Sequence, residues 1–239
     1  MSDALHGKVI LITGATGALG SAVTKEFAQT EARLALAGRS GKKLEKLVAD
    51  VGLPSERALT VTGDITQVDG VESLVSAITA RWSIIDVLLH VAGGWSGGQP
   101  LGETPVEDWD HMLALNLRAA FLLSRAVLPA MLEAGWGRII HVSSKTALEP
   151  RAKQAAYAVS KMGLITLTEV IAAEVKGSGV TANVILPSII DTPANREAMP
   201  KADPAKWVPP ERIAATMRFL CSDAAASTNG ARIPIYGAV

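Results

Sequence analysis

The chain has 239 residues, balances 23 Lys and Arg against 23 Asp and Glu, and is 49% hydrophobic. That suffices for one α/β core and removes the electrostatic case for nucleic acid or an anionic membrane as main partner. The one cysteine, Cys221, excludes an intrachain disulfide and fits a reducing, cytoplasmic setting.

The opening residues, Met1 to Lys8, lack a basic stretch leading into an apolar one, and no later apolar run reads as long enough to span a bilayer. A soluble, unprocessed protein is expected. Short aliphatic runs predict strands at 9–13, 33–37, 57–62, 87–91, 137–143, 181–186 and 231–236. Helical patterns fall between them at 20–30, 42–51, 70–82, 105–133, 155–176 and 210–220. This alternation predicts a Rossmann-type, doubly wound α/β fold, with a seven-stranded parallel sheet covered by helices on both faces. No repeat or linker divides residues 1–239, so one dinucleotide-binding domain is expected. The proline-rich stretch 187–210 is read as a surface excursion of the kind that forms lids.

After the first predicted strand comes Thr13-Gly14-Ala15-Thr16-Gly17-Ala18-Leu19-Gly20. Gly14 permits a tight turn, Gly17 lets backbone N–H groups approach a pyrophosphate, and Gly20 allows close packing where the helix N-terminus meets the negative charge. An ordinary glycine-rich turn has the same composition, so other residues must decide. After the second strand, Ala37-Gly38-Arg39-Ser40 places glycine where an acidic residue would bind ribose hydroxyls, followed by a guanidinium suited to phosphate. NADP(H) is thereby favoured over NAD(H), although Arg39 can also be read as a solvated loop arginine.

The segment Tyr157-Ala158-Val159-Ser160-Lys161 lies in a helix-prone stretch. Spacing of i, i+4 puts Tyr157 and Lys161 on one face, where the ammonium is expected to favour the ionised phenol and bring it nearer a useful acid–base range. Such a pair also occurs by chance on exposed helices.

These motifs, together with Gly63-Asp64-Ile65, Val91-Ala92-Gly93, Asn116, Ser144, Pro187 and Thr192, resemble the compact branch of the short-chain dehydrogenase/reductase family over nearly the whole length. The resemblance implies hydride transfer to a small carbonyl or imine, with Tyr157 as general acid and Lys161 lowering its pKa and binding the nicotinamide ribose. Ser144 would bond the reacting heteroatom, and Asn116 would order a proton-relay water. It further implies that Asp64 and Ile65 flank the adenine, that Ala92 and Gly93 pass the cofactor ribose, and that Ile190 and Thr192 hold the carboxamide. Homodimers or homotetramers built on the two longest helices are expected, and no metal.

Departures are informative. Ala18 replaces a middle glycine of the turn, and His90-Val91-Ala92-Gly93 replaces the family's Asn-Asn-Ala-Gly. His90 is read as a packed or bridging core histidine. The run Gly17 to Gly20, the segment Val91 to Gly98 containing Trp95, and the stretch Asp191 to Arg196 resemble dihydropteridine reductase, which makes Trp95 and Arg196 candidate substrate contacts. An indole there could stack on a flat ring or merely pack under its loop. A pterin or a 3-oxoacyl thioester therefore stands beside a general carbonyl substrate. The different-class alternative is a cofactor-binding sensor without catalysis, against which the set Asn116, Ser144, Tyr157 and Lys161 argues.

Overall fold

The computed structural model describes residues 4–238. Seven parallel strands stand in the order β3-β2-β1-β4-β5-β6-β7: β1 Val9–Thr13, β2 Arg33–Gly38, β3 Ala58–Thr62, β4 Val87–His90, β5 Gly137–Val142, β6 Val180–Pro187 and β7 Arg232–Ile235. Every residue of β1, β4, β5 and β6 is buried, whereas β3 and β7, at the two edges, are partly exposed. This is the distribution expected of a sheet covered on both sides, whose central strands are near-continuous apolar runs.

One face packs on α1 (Ala18–Ala28), α2 (Gly41–Asp50) and α9 (Pro210–Cys221), with Val23, Phe27, Leu44, Ile213 and Met217 in its core. The other packs on α3 (Val68–Trp82), α5 (Ala119–Ala134) and α7 (Ala155–Glu174), through Leu74, Ile78, Leu123, Val127 and Ile171. The chain runs from β1 outward to β3 and then returns to place β4 on the other side of β1. The loops after β1 and β4 therefore diverge across a switch point, the crevice where open α/β sheets hold ligands.

The single helix expected over 105–133 is divided. Helix α4 (Val106–Leu113) passes through a π turn, Ala114–Arg118, into α5. The stretch 187–210 holds a six-residue helix, α8 (Pro193–Ala198), and a 3-10 turn at Pro204–Lys206, and it is pinned by a bridge between Ile190 and Val208. Helix α6 (Lys145–Leu148) follows β5. The expectation that no apolar run could span a bilayer needs correction, since Val106–Ala134 and Ala155–Glu174 are long and apolar enough. Each packs an apolar face against the sheet, as core helices do.

Candidate active site

Three segments meet at the C-terminal edge of the sheet. The first is the turn after β1. Gly14 has φ +66°, and a Cβ there would lie 2.8 Å from the Ala92 Cα; a Cβ on Gly20 would fall 2.1 Å from the Gly14 carbonyl oxygen. Only glycine allows this crossing. Gly17 and Ala18 are exposed at the start of α1, and Gly17 carries no side-chain cap, leaving first-turn N–H groups to an external acceptor. Thr16 and Leu19 complete the turn, and a Cβ on Gly38 would come within 3.6 Å of the Thr16 Oγ1. The end of β2, with exposed Arg39 and with Ser40 capping α2, thus abuts the turn. Asp64 accepts from the Thr66 N–H (2.9 Å) and hydroxyl (2.7 Å), bonds that hold its carboxyl below the usual range; Ile65 is half-buried beside it.

The second segment follows β4. Asn116, fully buried in the π turn, accepts at Oδ1 from the Gly94 N–H (2.9 Å) and donates from Nδ2 to the Gly94 carbonyl (3.1 Å) and to the Ser160 hydroxyl (3.1 Å). Its amide works as a short strand, fastening the loop to α7. π turns of this kind concentrate at functional positions. A Cβ on Gly93 would press on Asn116 Oδ1 at 2.9 Å and on Lys161 Nζ at 3.1 Å.

The third segment joins β5 to α7. The Ser143 hydroxyl donates to the Lys161 carbonyl (2.7 Å), and Lys161 Nζ donates to the Val142 carbonyl (2.8 Å). Lys161 is buried, which pushes its pKa down to about 8. Burial raises the Tyr157 phenol, while a hydrogen bond with Ser144 pulls it the other way. The expectation that Lys161 favours the ionised phenol is therefore not met in this arrangement. The ammonium stands 5.9 Å from the centre of the tyrosine ring and spends a proton on a backbone carbonyl, so desolvation of the phenol dominates.

Behind the lysine lies a polar row that the sequence hinted at only through His90. Thr13, His90 and His141 are neighbours in register across β1, β4 and β5. The Thr13 hydroxyl accepts from the Ala92 N–H (3.3 Å), which leaves its proton for His90 Nδ1 (3.0 Å). Thr168 donates to the Leu164 carbonyl and so accepts from His141 Nδ1, leaving His141 Nε2 to take the Ser124 proton (3.1 Å). Both rings are thereby assigned as neutral, with His90 protonated at Nε2, an atom that has no hydrogen-bond partner among the described residues and belongs to a ring set edge-to-face on His141 at 6.0 Å. Burial, reinforced by Lys161, depresses both pKa values, that of His141 to about 3.

On the far side, Pro187 ends β6, the Ile190 carbonyl accepts from Asn195 Nδ2, and Thr192 caps α8. Arg196 forms a bidentate pair with Asp191 (2.6 and 2.8 Å), so its charge is matched within its own loop. Trp95 is 59% exposed, and a Cβ on Gly97 would lie 3.2 Å from its ring. Sequence reasoning missed Gln154, which precedes α7 and whose side-chain Oε1 is buried without a partner among the described residues. No group of three or more His, Cys, Asp or Glu among the described residues could hold a metal.

Comparison with known proteins matches residues 8–203 to the short chain dehydrogenase family. The chain is 35% identical over 242 residues to D-threitol dehydrogenase of Mycolicibacterium smegmatis, covering 98% of this chain and 93% of that protein. It is 32% identical to a 3-oxoacyl-acyl-carrier-protein reductase of Thermotoga maritima, covering 98% of each. The structure superimposes on L-sorbose reductase from Gluconobacter frateurii, complexed with NADPH and L-sorbose, with a TM-score of 0.89 at 27% identity over 99% of this chain and 98% of that one. With the glycine turn, the Tyr157/Lys161 pair and the seven-stranded parallel sheet already in place, these matches show that the chain belongs to the short-chain dehydrogenase/reductase family of oxidoreductases.

Proposed function

We propose that this protein reduces a small carbonyl or imine compound with NADPH, Tyr157 delivering the proton. One observation carries the reading: Ser144, Tyr157, Lys161 and Asn116 converge from three elements beside the crevice at the switch point. The tight turn that Gly14 and Gly20 permit, with the start of α1 exposed at Gly17 and Ala18, suits the pyrophosphate of a dinucleotide. On this reading Gly14, Thr16, Gly17, Ala18, Leu19 and Gly20 hold the pyrophosphate, and Arg39 with Ser40 takes the 2′-phosphate. Asp64 and Ile65 lie at the adenine, Ala92 and Gly93 at the ribose, and Pro187, Ile190 and Thr192 at the carboxamide.

When bound, the reduced nicotinamide supplies the hydride. Ser144 bonds the substrate heteroatom and steadies the charge that develops there. Tyr157 donates its proton to that atom, and its raised pKa keeps it protonated, the form a reduction needs. Lys161 holds positive charge beneath the site, and Asn116 keeps the loop after β4 in place. NADPH absorbance followed with a panel of ketones tests the reading. Tyr157→Phe should lower turnover by about 100-fold or more while cofactor affinity stays near wild type; retained turnover would remove the acid role. Tight cofactor binding without turnover by wild type would instead favour a sensor.

The exposed indole of Trp95 favours, as a second reading, a flat ring such as a dihydropterin, tested by including quinonoid dihydropterin in the panel. A 3-oxoacyl thioester joins the panel because a relative is named for that reaction. Exposed Phe121 on α5 and Val159, Met162 and Val170 on α7 support a homodimer or homotetramer, to be checked by light scattering. A cytoplasmic setting is supported by the presence of one cysteine, Cys221, in the sequence.

A further inference from the structure

The stretch between β6 and α9 keeps its hydrogen bonds largely to itself. From Asp191 to Lys206 no residue is buried, whereas Trp207 and Val208, where the stretch returns to the core, are 4% and 1% exposed. Asn195 Nδ2 donates to the Ile190 carbonyl, Arg196 pairs with Asp191, and the Lys206 N–H donates to the Asp203 carbonyl, all within the stretch. Its two feet are tied to each other, the Asp191 N–H donating to the Val208 carbonyl (2.8 Å) and the Val208 N–H to the Ile189 carbonyl (2.9 Å). A segment with few buried contacts opens at low cost, and one bonded mainly to itself moves as a unit.

Among the described residues, every hydrogen bond that leaves 188–208 ends on the last turn of the chain beyond β7 or on the residue before it. The Ser188 N–H donates to the Ile235 carbonyl (3.0 Å) and its hydroxyl to the Tyr236 carbonyl (2.5 Å). At the other foot, the Lys206 carbonyl accepts from the Ala238 N–H (3.0 Å). Gly237, between these two anchors, has φ +64°, and a Cβ on it would lie 2.6 Å from the Lys206 carbonyl oxygen and 3.4 Å from the Trp207 carbonyl carbon. Only glycine lets the backbone lie this close in this conformation. Gly237 and Ala238 are themselves exposed, so core packing does not impose the approach.

We propose that residues 236–238 form a strap that fixes both feet of the lid at 188–208, and that Ser188 and Gly237 are thereby positioning residues for the nicotinamide end of the cofactor. Pro187 closes β6 at the carboxyl edge of the sheet, the edge from which the turn after β1 and the loop after β4 also emerge. The first foot carries Ile190 and Thr192, the carboxamide contacts of the proposed function, and the positioning role rests on that reading. Ser188 acts through the backbone that follows it, and Gly237 through the carbonyl of Lys206. Three bonds to the strap and two between the feet must break before the feet part, whereas the exposed residues 193–205 can shift while all five remain. The strap therefore separates a fixed set of contacts from a movable cover.

Hydrogen–deuterium exchange of the unliganded protein reads the strap directly. Amides of 189–208 should exchange about fivefold or more faster in Ser188→Ala and in Gly237→Ala, the protection that one hydrogen bond gives. Ser188→Thr, which keeps the hydroxyl, should match wild type. Binding reads the positioning role: in the two faster variants the NADPH Kd should rise by about fivefold, while that of 2′,5′-ADP, which carries the adenine end alone, stays at the wild-type value. Unchanged exchange in both variants would overturn the strap. Faster exchange with an unchanged NADPH Kd, or equal weakening of both ligands, would overturn the positioning role. A wild type that binds neither ligand would overturn the cofactor reading and the positioning role together, and exchange would still decide the strap.

Discussion

Gly93→Ala tests the geometry of the site, with the stability of the fold measured beside it. The backbone at Gly93 is not left-handed, so alanine can adopt it. The added methyl would sit 2.9 Å from Asn116 Oδ1 and 3.1 Å from Lys161 Nζ, about 0.5 and 0.3 Å short of ordinary contact. Neither neighbour is free to yield. Asn116 Oδ1 is held by the Gly94 N–H at 2.9 Å, and Lys161 Nζ by the Val142 carbonyl at 2.8 Å. One of these bonds must lengthen. Overpacking of this order costs about 1–3 kcal/mol of stability, and displacing a group that supports the proton donor by several tenths of an ångström lowers kcat by roughly 10–100-fold, or about 1.4–2.7 kcal/mol in the barrier. Steady-state NADPH oxidation and urea unfolding would be run together, with Gly102→Ala as control because a Cβ there meets nothing within 4 Å. A Gly93→Ala enzyme whose kcat stays within about twofold of wild type would refute the claim that this contact positions Lys161 and Asn116.

Arg39→Asp should move cofactor preference from NADPH toward NADH, read as the ratio of kcat/KM values; an unchanged ratio would remove Arg39 from 2′-phosphate recognition. The neutral histidine pair makes the fold acid-sensitive. Because the folded pKa values lie below the unfolded value near 6.5, the unfolded state binds more protons below that pH, and stability present at neutral pH is lost as pH falls from about 6.5 toward 3. His141 alone accounts for about 1.2 kcal/mol between pH 7 and 5.5, and His90 acts with the same sign. Urea unfolding of His141→Asn at the two pH values should show a shallower loss; an identical slope would contradict the assigned neutrality.

Most of the fold could be read because its central strands are continuous apolar runs and its glycine turn follows the first of them. The π turn could not, since nothing in Ala114-Leu115-Asn116-Leu117-Arg118 distinguishes it from ordinary helix; the two bonds from Asn116 to Gly94 appear only once the β4 loop is alongside. Helices α6 and α8, of four and six residues, are too short to show a periodic pattern and depend on caps from Ser144 and Thr192. At the site, the i, i+4 spacing located Tyr157 and Lys161 but misjudged the phenol, because spacing conveys proximity and burial sets the sign of the shift. Gln154 carried no signal at all: an unsatisfied oxygen is a property of its surroundings.

The π turn has a further consequence. By the widened loop of backbone at 114–118, α4 and α5 are held out of phase with each other, as two screws would be if joined with part of a turn missing. Removing one residue from that stretch would heal the thread and yield a smoother, longer helix, yet it would rotate everything beyond it by about 100°. Either Asn116 would swing away from Gly94, or the whole apolar face of α5 would leave the sheet. A local gain in regularity is thus blocked by two partners that demand different angular settings of one continuous rod, and the irregularity is the setting at which both are met.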